Sequence, residues 1–413
     1  MTPMDNLPSL EIFLYDEQIG TIVQLPGDKN LFIINSTYAE HYSESVLSLS
    51  LRDRWGDLLV DTRPARTRLP PFFSNLLPEG ALRDYLALQV EANPIREFYL
   101  LQELGDDLPG AITVRLADEH RKSMSQVEKR SKSAFPQRQQ RGLHFSLAGV
   151  QLKFSAIWEQ GKRLTIPVDG VGGSWIVKLP SLVYPGVPEN EYTMMNLARQ
   201  MGLDVPDVAL LPLEHVAGLP PPFQKSDVMA YAIRRFDRDA QSRKIHIEDF
   251  AQVFGVYPEK KYDAASYRNI AEVLWAETGE RGIVEFIRRF VFNALIGNGD
   301  MHLKNWSLIY LDKKTPTLAP AYDFLSTLPY LPQEELALNF VDSKTFASLT
   351  LDQFRRFAVK SRLPETLVLD TVQNTVRQFK QLWPSVETYP LAASAIQTIE
   401  IHFKSLPIWR ERE

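Results

Sequence analysis

The residue types best suited to chemistry lie in the second half of the chain. Lys178 lies in the run Ser174-Trp175-Ile176-Val177-Lys178-Leu179, which reads as a strand stopped by Pro180. Glu191 stands at the opening of the next segment, a helix over about 190–201 closed by Gly202. Asp300 and Asn305 are separated by four intervening residues in the stretch Ile296-Gly297-Asn298-Gly299-Asp300-Met301-His302-Leu303-Lys304-Asn305. That stretch joins an apolar helix over 282–296 to a strand over 306–311. A turn at Asp312-Lys313-Lys314 then sends the chain back to Tyr322-Asp323-Phe324, across a hairpin from the loop. Phosphoryl transfer needs held phosphates, a held metal and an acceptor hydroxyl in line. No Walker A pattern occurs, but these residues follow the distributed solution of protein kinases. Lys178 is the phosphate lysine and Glu191 its partner. Asp300 orients and deprotonates the acceptor, while Asn305 and Asp323 hold Mg²⁺.

Each residue alone has a plainer reading. Lys178 is then an exposed lysine at a sheet end, and Glu191 a first-turn acid favoured by the helix dipole. Asp300 becomes a turn residue and Asp323 a loop acid. Their order, and the setting of the loop between a buried helix and a strand, favour the kinase reading. His302 suits a hydrogen-bonding role within the loop. Seven scattered histidines with no H-x-x-x-H pattern argue against zinc. Ser146-Leu147-Ala148-Gly149-Val150-Gln151 reads as a plain turn or as a phosphate cradle, since Gly149 lets backbone N–H groups approach an anion.

The elements that must position these groups are short. Strands are expected over 10–15, 19–23, 30–34 and 46–51, the last because its apolar residues alternate well. Helical character follows over 72–104. Residues 117–142 carry Arg121, Lys122, Lys129, Arg130, Lys132, Arg138 and Arg141 with few large apolar side chains. They read as an exposed linker, with a basic contact surface for DNA or a partner as the alternative. Strands are expected again over 151–159, 163–168, 174–179 and 228–233, and helices dominate from about 245. The expected division is 1–116, an N-terminal α+β domain; 117–142, the basic linker; 143–236, a strand-rich lobe; and 237–413, a helical lobe. The fold class is therefore α+β.

Bulk properties agree. The chain has 413 residues, enough for two or three domains, with 44% hydrophobic and 23% charged residues. Its formal net charge of −5 gives no general attraction to nucleic acid or anionic membrane. Without cysteine it has no disulfide and no thiol nucleophile. Residues 1–10 lack the basic start and apolar run of a signal peptide, and no apolar stretch is long enough to span a membrane. A cytoplasmic location with no membrane partner is expected.

The chain also resembles the HipA-type Ser/Thr kinases of bacterial toxin–antitoxin pairs, over nearly its whole length. The resemblance rests on Leu69-Pro70-Pro71-Phe72-Phe73-Ser74-Asn75-Leu76-Leu77-Pro78-Glu79-Gly80 and on Gly105-Asp106-Asp107-Leu108-Pro109-Gly110-Ala111. It rests further on the Ser-x-Ala-Gly-x-Gln-x-Lys pattern from Ser146 to Lys153, on Ile176-Val177-Lys178-Leu179-Pro180, on Asn190-Glu191-Tyr192 and on Arg235-Phe236-Asp237-Arg238. The Asp300–Asn305 loop and Tyr322-Asp323 complete the family order. The resemblance implies a bilobal protein-kinase-like fold, with a strand-rich N-lobe and a helical C-lobe, carrying an N-terminal α+β domain. It implies ATP and Mg²⁺ as cofactors. The nucleotide would meet Ser146, Ala148, Gly149, Val150, Gln151, Lys153, Lys178 and Glu191, with adenine at the hinge Ile233, Arg234, Arg235 and Phe236. Catalysis would rest on Asp300, Lys178 and His302, the metal on Asn305 and Asp323. Ser146 would be an autophosphorylation site that switches the enzyme off. The implied partners are a DNA-binding helix-turn-helix antitoxin of HipB type, which brings DNA contact, and a protein substrate of the aminoacyl-tRNA synthetase class, glutamyl-tRNA synthetase in the best-known case. The competing readings are a small-molecule or lipid kinase of related fold and an antitoxin-bound corepressor with vestigial kinase activity. The intact Lys178, Asp300, Asn305 and Asp323 argue against the last.

Overall fold

The structure is a computed structural model that describes residues 7–53, 55–59, 63–89, 93–117, 152–159, 163–167, 172–219 and 228–410. The expected linker over 117–142 lies almost wholly outside these residues.

The first layer is a five-stranded sheet built from β1 (Ser9–Leu14), β2 (Glu17–Leu25), β3 (Lys29–Ile34), β4 (Ala65–Arg66) and β5 (Ile112–Leu116), in the order β4-β3-β2-β1-β5. Alternation in β1 turns Leu10, Ile12 and Leu14 inward, where they are fully buried with Ile112 and Phe98. The expected strand over 46–51 does not form. Ser48 instead accepts from the Ser50 amide and starts a 3₁₀ turn, Leu49–Leu51. The Ser48 hydroxyl donates to Glu248 at 2.6 Å and the Leu49 amide to the same carboxylate at 3.1 Å. A long-range acceptor thus overrides a local alternating pattern. The helical region 72–104 resolves into Pro71–Ser74, Gly80–Gln89 and Glu97–Leu104.

The second sheet holds β6 (Lys153–Glu159), β7 (Arg163–Thr165), β8 (Trp175–Lys178), β9 (Val208–Pro212), β10 (Val216–Ala217) and β11 (Met229–Arg234), in the order β10-β7-β6-β8-β11-β9. β11 lies between β8 and the edge strand β9 and buries Ala230 through Ile233. One face of this sheet packs on the helix Val187–Gln200 through Tyr231 and Ile233 against Met194 and Met195. The other face closes a smaller core that includes Leu82 from the N-terminal region.

The third sheet is small: β12 (His246–Asp249), β13 (Ser307–Tyr310) and β14 (Thr317–Leu318). Around it lie helices at Tyr267–Ile296, Leu351–Lys360, Glu365–Leu382 and Ala393–Ser405. The helix expected over 282–296 is the second half of Tyr267–Ile296, whose two halves meet at Gly279 with φ 64° and ψ −154°. That backbone conformation suits glycine alone. No helix among the described residues is long and apolar enough to cross a membrane.

The N-terminal sheet is tied to the C-lobe by buried polar contacts. Asp107 Oδ1 accepts from Arg235 at 2.8 Å and from Arg238 at 2.9 Å, and Asp237 Oδ2 accepts from the Gly110 amide at 2.9 Å. Gly110, at φ 72°, lets the chain pass so close to Ile247 that a Cβ would stand 2.9 Å from its amide nitrogen.

Candidate active site

Lys178 is the last residue of β8, between β6 and β11. Lys153 and Tyr231 stand directly opposite it in register, so the three side chains share one face of the sheet. The Lys178 Nζ donates to Glu191 Oε1 at 2.6 Å and also pairs with Asp323 Oδ1. Glu191 differs from its expected position at a helix start. The helix begins earlier, at Val187, after Gly186 in the left-handed region. Glu189 occupies the first turn, while Glu191 points inward and is 1% exposed. The dipole explanation therefore belongs to Glu189, and Glu191 is held by Lys178.

Three charges share this pocket. Burial opposes the Lys178 charge, but the carboxylates of Asp323 and Glu191 outweigh it and lift its pKa above the ordinary lysine value. Asp323 would be raised by burial, yet Lys178 and Lys153 hold it below the usual carboxylate range. Glu191 is the less compensated acid. Burial pushes it up to about 7 against the pull of Lys178, and the Asp323 charge adds to the rise. Asp323 itself adopts a φ of 57°. A non-glycine residue in this region is strained unless its surroundings hold it. Here Asn298 Nδ2 bonds the Asp323 carbonyl at 3.2 Å and the Asn293 side chain at 2.8 Å.

The loop follows the long helix, which ends at Gly297 with φ 67° in a left-handed cap. Asp300 is fixed from both sides. Its amide donates to Asn298 Oδ1 at 3.1 Å, and its carbonyl accepts from Asn305 Nδ2 and the His302 amide, each at 2.8 Å. Its carboxylate accepts from the Tyr262 hydroxyl at 2.6 Å. Burial raises the Asp300 pKa, and the Tyr262 hydrogen bond works against that rise. A base of raised pKa accepts a proton more readily. His302 is buried, lies edge-on to Tyr262 with ring centroids 5.0 Å apart, and has its pKa lowered by burial to about 3. Its Nδ1 is buried without a hydrogen-bond partner among the described residues, so the hydrogen-bonding role expected within the loop is not seen at that atom.

The donor set fits Mg²⁺ carried by a nucleotide. Asn305 spends its amide nitrogen on the Asp300 carbonyl, which leaves Oδ1 as the end for a cation. Asp323 spends Oδ1 on Lys178 and keeps a second oxygen. One carboxylate and one amide oxygen, completed by phosphates and water, are ligands of the hard kind Mg²⁺ takes. Among the described residues no group of three His, Asp or Glu is arranged to hold an ion.

The hinge differs in detail from the expectation. Ile233 and Arg234 end β11 with pairing on both sides, and the amides of Arg234 and Arg235 donate to Asp207 and Ser174 carbonyls at 2.8 Å each. The Arg235 guanidinium binds Asp107 and Asp237 at the domain contact and so is not free to reach a nucleotide. Arg234 is exposed and pairs with Asp207 at 3.6 Å. Phe236 stacks at a tilt on Tyr322, centroids 5.6 Å apart. Ser146, Ala148, Gly149, Val150 and Gln151 lie outside the described residues.

Sequence reasoning missed Tyr262, which no motif marks, and it gave Glu79 and Lys304 no role although both lie inside quoted motifs. Lys304 Nζ lies 2.9 Å from Glu79 Oε1, and Lys261 Nζ lies 2.9 Å from Glu79 Oε2. Burial would raise the Glu79 pKa, but the two ammonium groups bring it down to about 2.

Known proteins resemble the chain over both of its halves. Residues 10–115 match the family model described as HipA N-terminal domain, and residues 145–383 match that described as HipA-like C-terminal domain. Y4dM of Sinorhizobium fredii, whose name records an inferred kinase, is 48% identical over 412 residues, covering 99% of each chain. The serine/threonine-protein kinase toxin HipA of Shewanella oneidensis is 23% identical, over 90% of this chain and 88% of the other. A solved complex of Shewanella oneidensis HipA with HipB and operator DNA contains a chain that superposes with a TM-score of 0.70 at 22% identity, covering 96% of both. With both of its halves matched in order, and a relative 48% identical over nearly the whole of both chains, the chain belongs to the HipA family and is a HipA-type kinase.

Proposed function

We propose that the chain is an ATP- and Mg²⁺-dependent Ser/Thr protein kinase acting as the toxin of a toxin–antitoxin pair in the cytoplasm. The convergence of Glu191 and Asp323 on Lys178, across from the Asp300–Asn305 loop, carries this reading. Lys178 holds nucleotide phosphates, and Glu191 keeps its ammonium in place. Asp323 and Asn305 hold Mg²⁺, which when bound neutralises the charge that develops on the transferred phosphoryl group. Asp300 receives the acceptor proton as the acceptor oxygen bonds to the γ-phosphorus and the bond to the β-phosphate oxygen breaks, releasing ADP. The β11 end from Ile233 to Phe236 is the adenine edge, reached through carbonyls and the Phe236 ring. Residues 146–151 and Lys153 are assigned to binding of the nucleotide phosphates. Phosphorylation of Ser146 places roughly −1.5 to −2 charge there and switches the enzyme off.

Family membership supports a HipB-like helix-turn-helix antitoxin as partner, with DNA contact mainly through it; the matched Shewanella oneidensis structure is a complex of HipA with HipB and operator DNA. The substrate we propose is an aminoacyl-tRNA synthetase of the glutamyl-tRNA synthetase class, whose modification arrests translation. The test is γ-labelled ATP added to a host lysate with wild-type protein, beside Asp300→Asn. A labelled synthetase in the wild-type reaction alone supports the proposal. Label in a lipid or metabolite would replace it with the small-molecule reading, and no label in any acceptor would return it to a vestigial kinase.

A further inference from the structure

The segment Leu69–Gly80 stands out in the sequence, yet the chemistry above gives it no task. Its last acid, Glu79, divides its two carboxylate oxygens between Lys304 and Lys261, each at 2.9 Å. Each lysine is the immediate neighbour of a site residue. Lys304 precedes Asn305, and Lys261 precedes Tyr262, whose hydroxyl holds Asp300 at 2.6 Å. The two lysine segments also touch directly, since the Leu303 amide donates to the Lys261 carbonyl at 3.3 Å. Lys304 Nζ further donates to the Asn75 carbonyl at 3.0 Å, and Asn75 Nδ2 donates to the Val256 carbonyl at 2.7 Å. The same short segment therefore grips the loop and the strand-to-helix connection behind it. Lys304 is 14% and Lys261 18% exposed along the side chain, so both charges are partly desolvated and depend on their partner.

We propose that Glu79 is a positioning residue of the kinase, through which the N-terminal domain sets the spacing between the Tyr262–Asp300 pair and Asn305. Neither lysine touches the acceptor in this role. The carboxylate fixes their backbones, and the backbones fix the base and the metal-binding amide. A gap of about 1 Å at such a site costs roughly 10²-fold in rate, so a partial loosening is expected to cost about tenfold. The inference rests on reading Asp300–Asn305 as the catalytic loop.

Two measurements separate the inference from that reading. The first is amide hydrogen exchange of the unliganded full chain, wild type against Glu79→Gln. Peptides covering 298–306 and 260–264 are expected to exchange faster in the variant, with strands β1 and β2 unchanged. Unaltered exchange in both peptides would overturn the inference whether or not the protein is a kinase. Faster exchange throughout the N-terminal sheet would mean that Glu79 only keeps its own domain folded, and would overturn it too. The second is steady-state phosphorylation, with Glu79→Asp as the conservative variant. Glu79→Gln is expected to lower kcat about tenfold with the ATP KM within twofold, and Glu79→Asp to recover part of the loss. In a Lys261→Met/Lys304→Met background the Glu79 substitution is expected to have no further effect. A full additional loss in that background would show that Glu79 acts elsewhere.

Discussion

Asp323→Asn separates chemistry from structure because the same side chain serves both. In the fold Asp323 is one of two acids on Lys178. Exchanging it for a neutral amide converts a charge-assisted hydrogen bond, worth about 1.5–3 kcal/mol, into an ordinary one of about 0.5–1.5 kcal/mol. The loss of about 1 kcal/mol is offset by relief at Glu191, whose pKa the Asp323 charge helps to raise. Backbone strain does not increase. Asp323 sits at φ 57°, and asparagine enters the left-handed region at least as readily as aspartate. The net change in stability should stay within about 1 kcal/mol, and Lys178 should remain charged on Glu191. Asp323→Ala should cost a further ~1 kcal/mol through the left-handed backbone. Chemistry, by contrast, loses the carboxylate that the proposed site assigns to Mg²⁺. We expect kcat to fall at least about 10³-fold, equivalent to about 4 kcal/mol of transition-state stabilisation. The assay is phosphate transfer at saturating Mg-ATP, with thermal unfolding of the same preparations. Turnover within tenfold of wild type would refute the metal assignment. A large fall in unfolding temperature would refute the argument that Glu191 alone suffices for Lys178.

Lys178→Met should behave differently, since it leaves a buried Glu191 and a half-buried Asp323 without the cation they share, at a cost of about 3 kcal/mol. The remaining acids then have raised pKa values, so the penalty is small below the unfolded carboxyl pKa of about 4.5 and grows as pH rises towards 8; an equal loss of unfolding temperature at pH 5 and pH 8 would refute the shared-charge account. Tyr262→Phe removes the hydrogen bond that restrains the Asp300 pKa. The acid limb of the kcat/KM profile should therefore move to higher pH, and an unmoved limb would mean that Asp300 is not the titrating base. Mass spectrometry after incubation with Mg-ATP should find phosphate on Ser146 in wild type and none in Asp300→Asn; vigorous substrate labelling without Ser146 phosphate would remove the self-inactivation proposal.

The parts of the site that depend on local order were legible in the amino-acid sequence. A strand that ends in Lys178, a helix that carries Glu191 and a loop with Asp300 and Asn305 at fixed spacing are each set by hydrophobic periodicity and by punctuation at Pro180, Gly202 and Gly297. The family motifs then placed the whole chain. What tertiary structure decided were the partners drawn from remote segments. Tyr262 reaches Asp300 across 38 positions, and Lys304 reaches the carbonyl of Asn75 across 229. Neither pairing leaves a local trace, because a buried polar group needs only a complementary partner in space. The same cause explains the failed strand at 46–51. Its alternation was real, but the Glu248 carboxylate, buried and pushed up to about 7, required the Ser48 hydroxyl and the Leu49 amide. It also explains the left-handed backbone of Asp323, a conformation that no isolated sequence favours and that the packed loop imposes through Asn298.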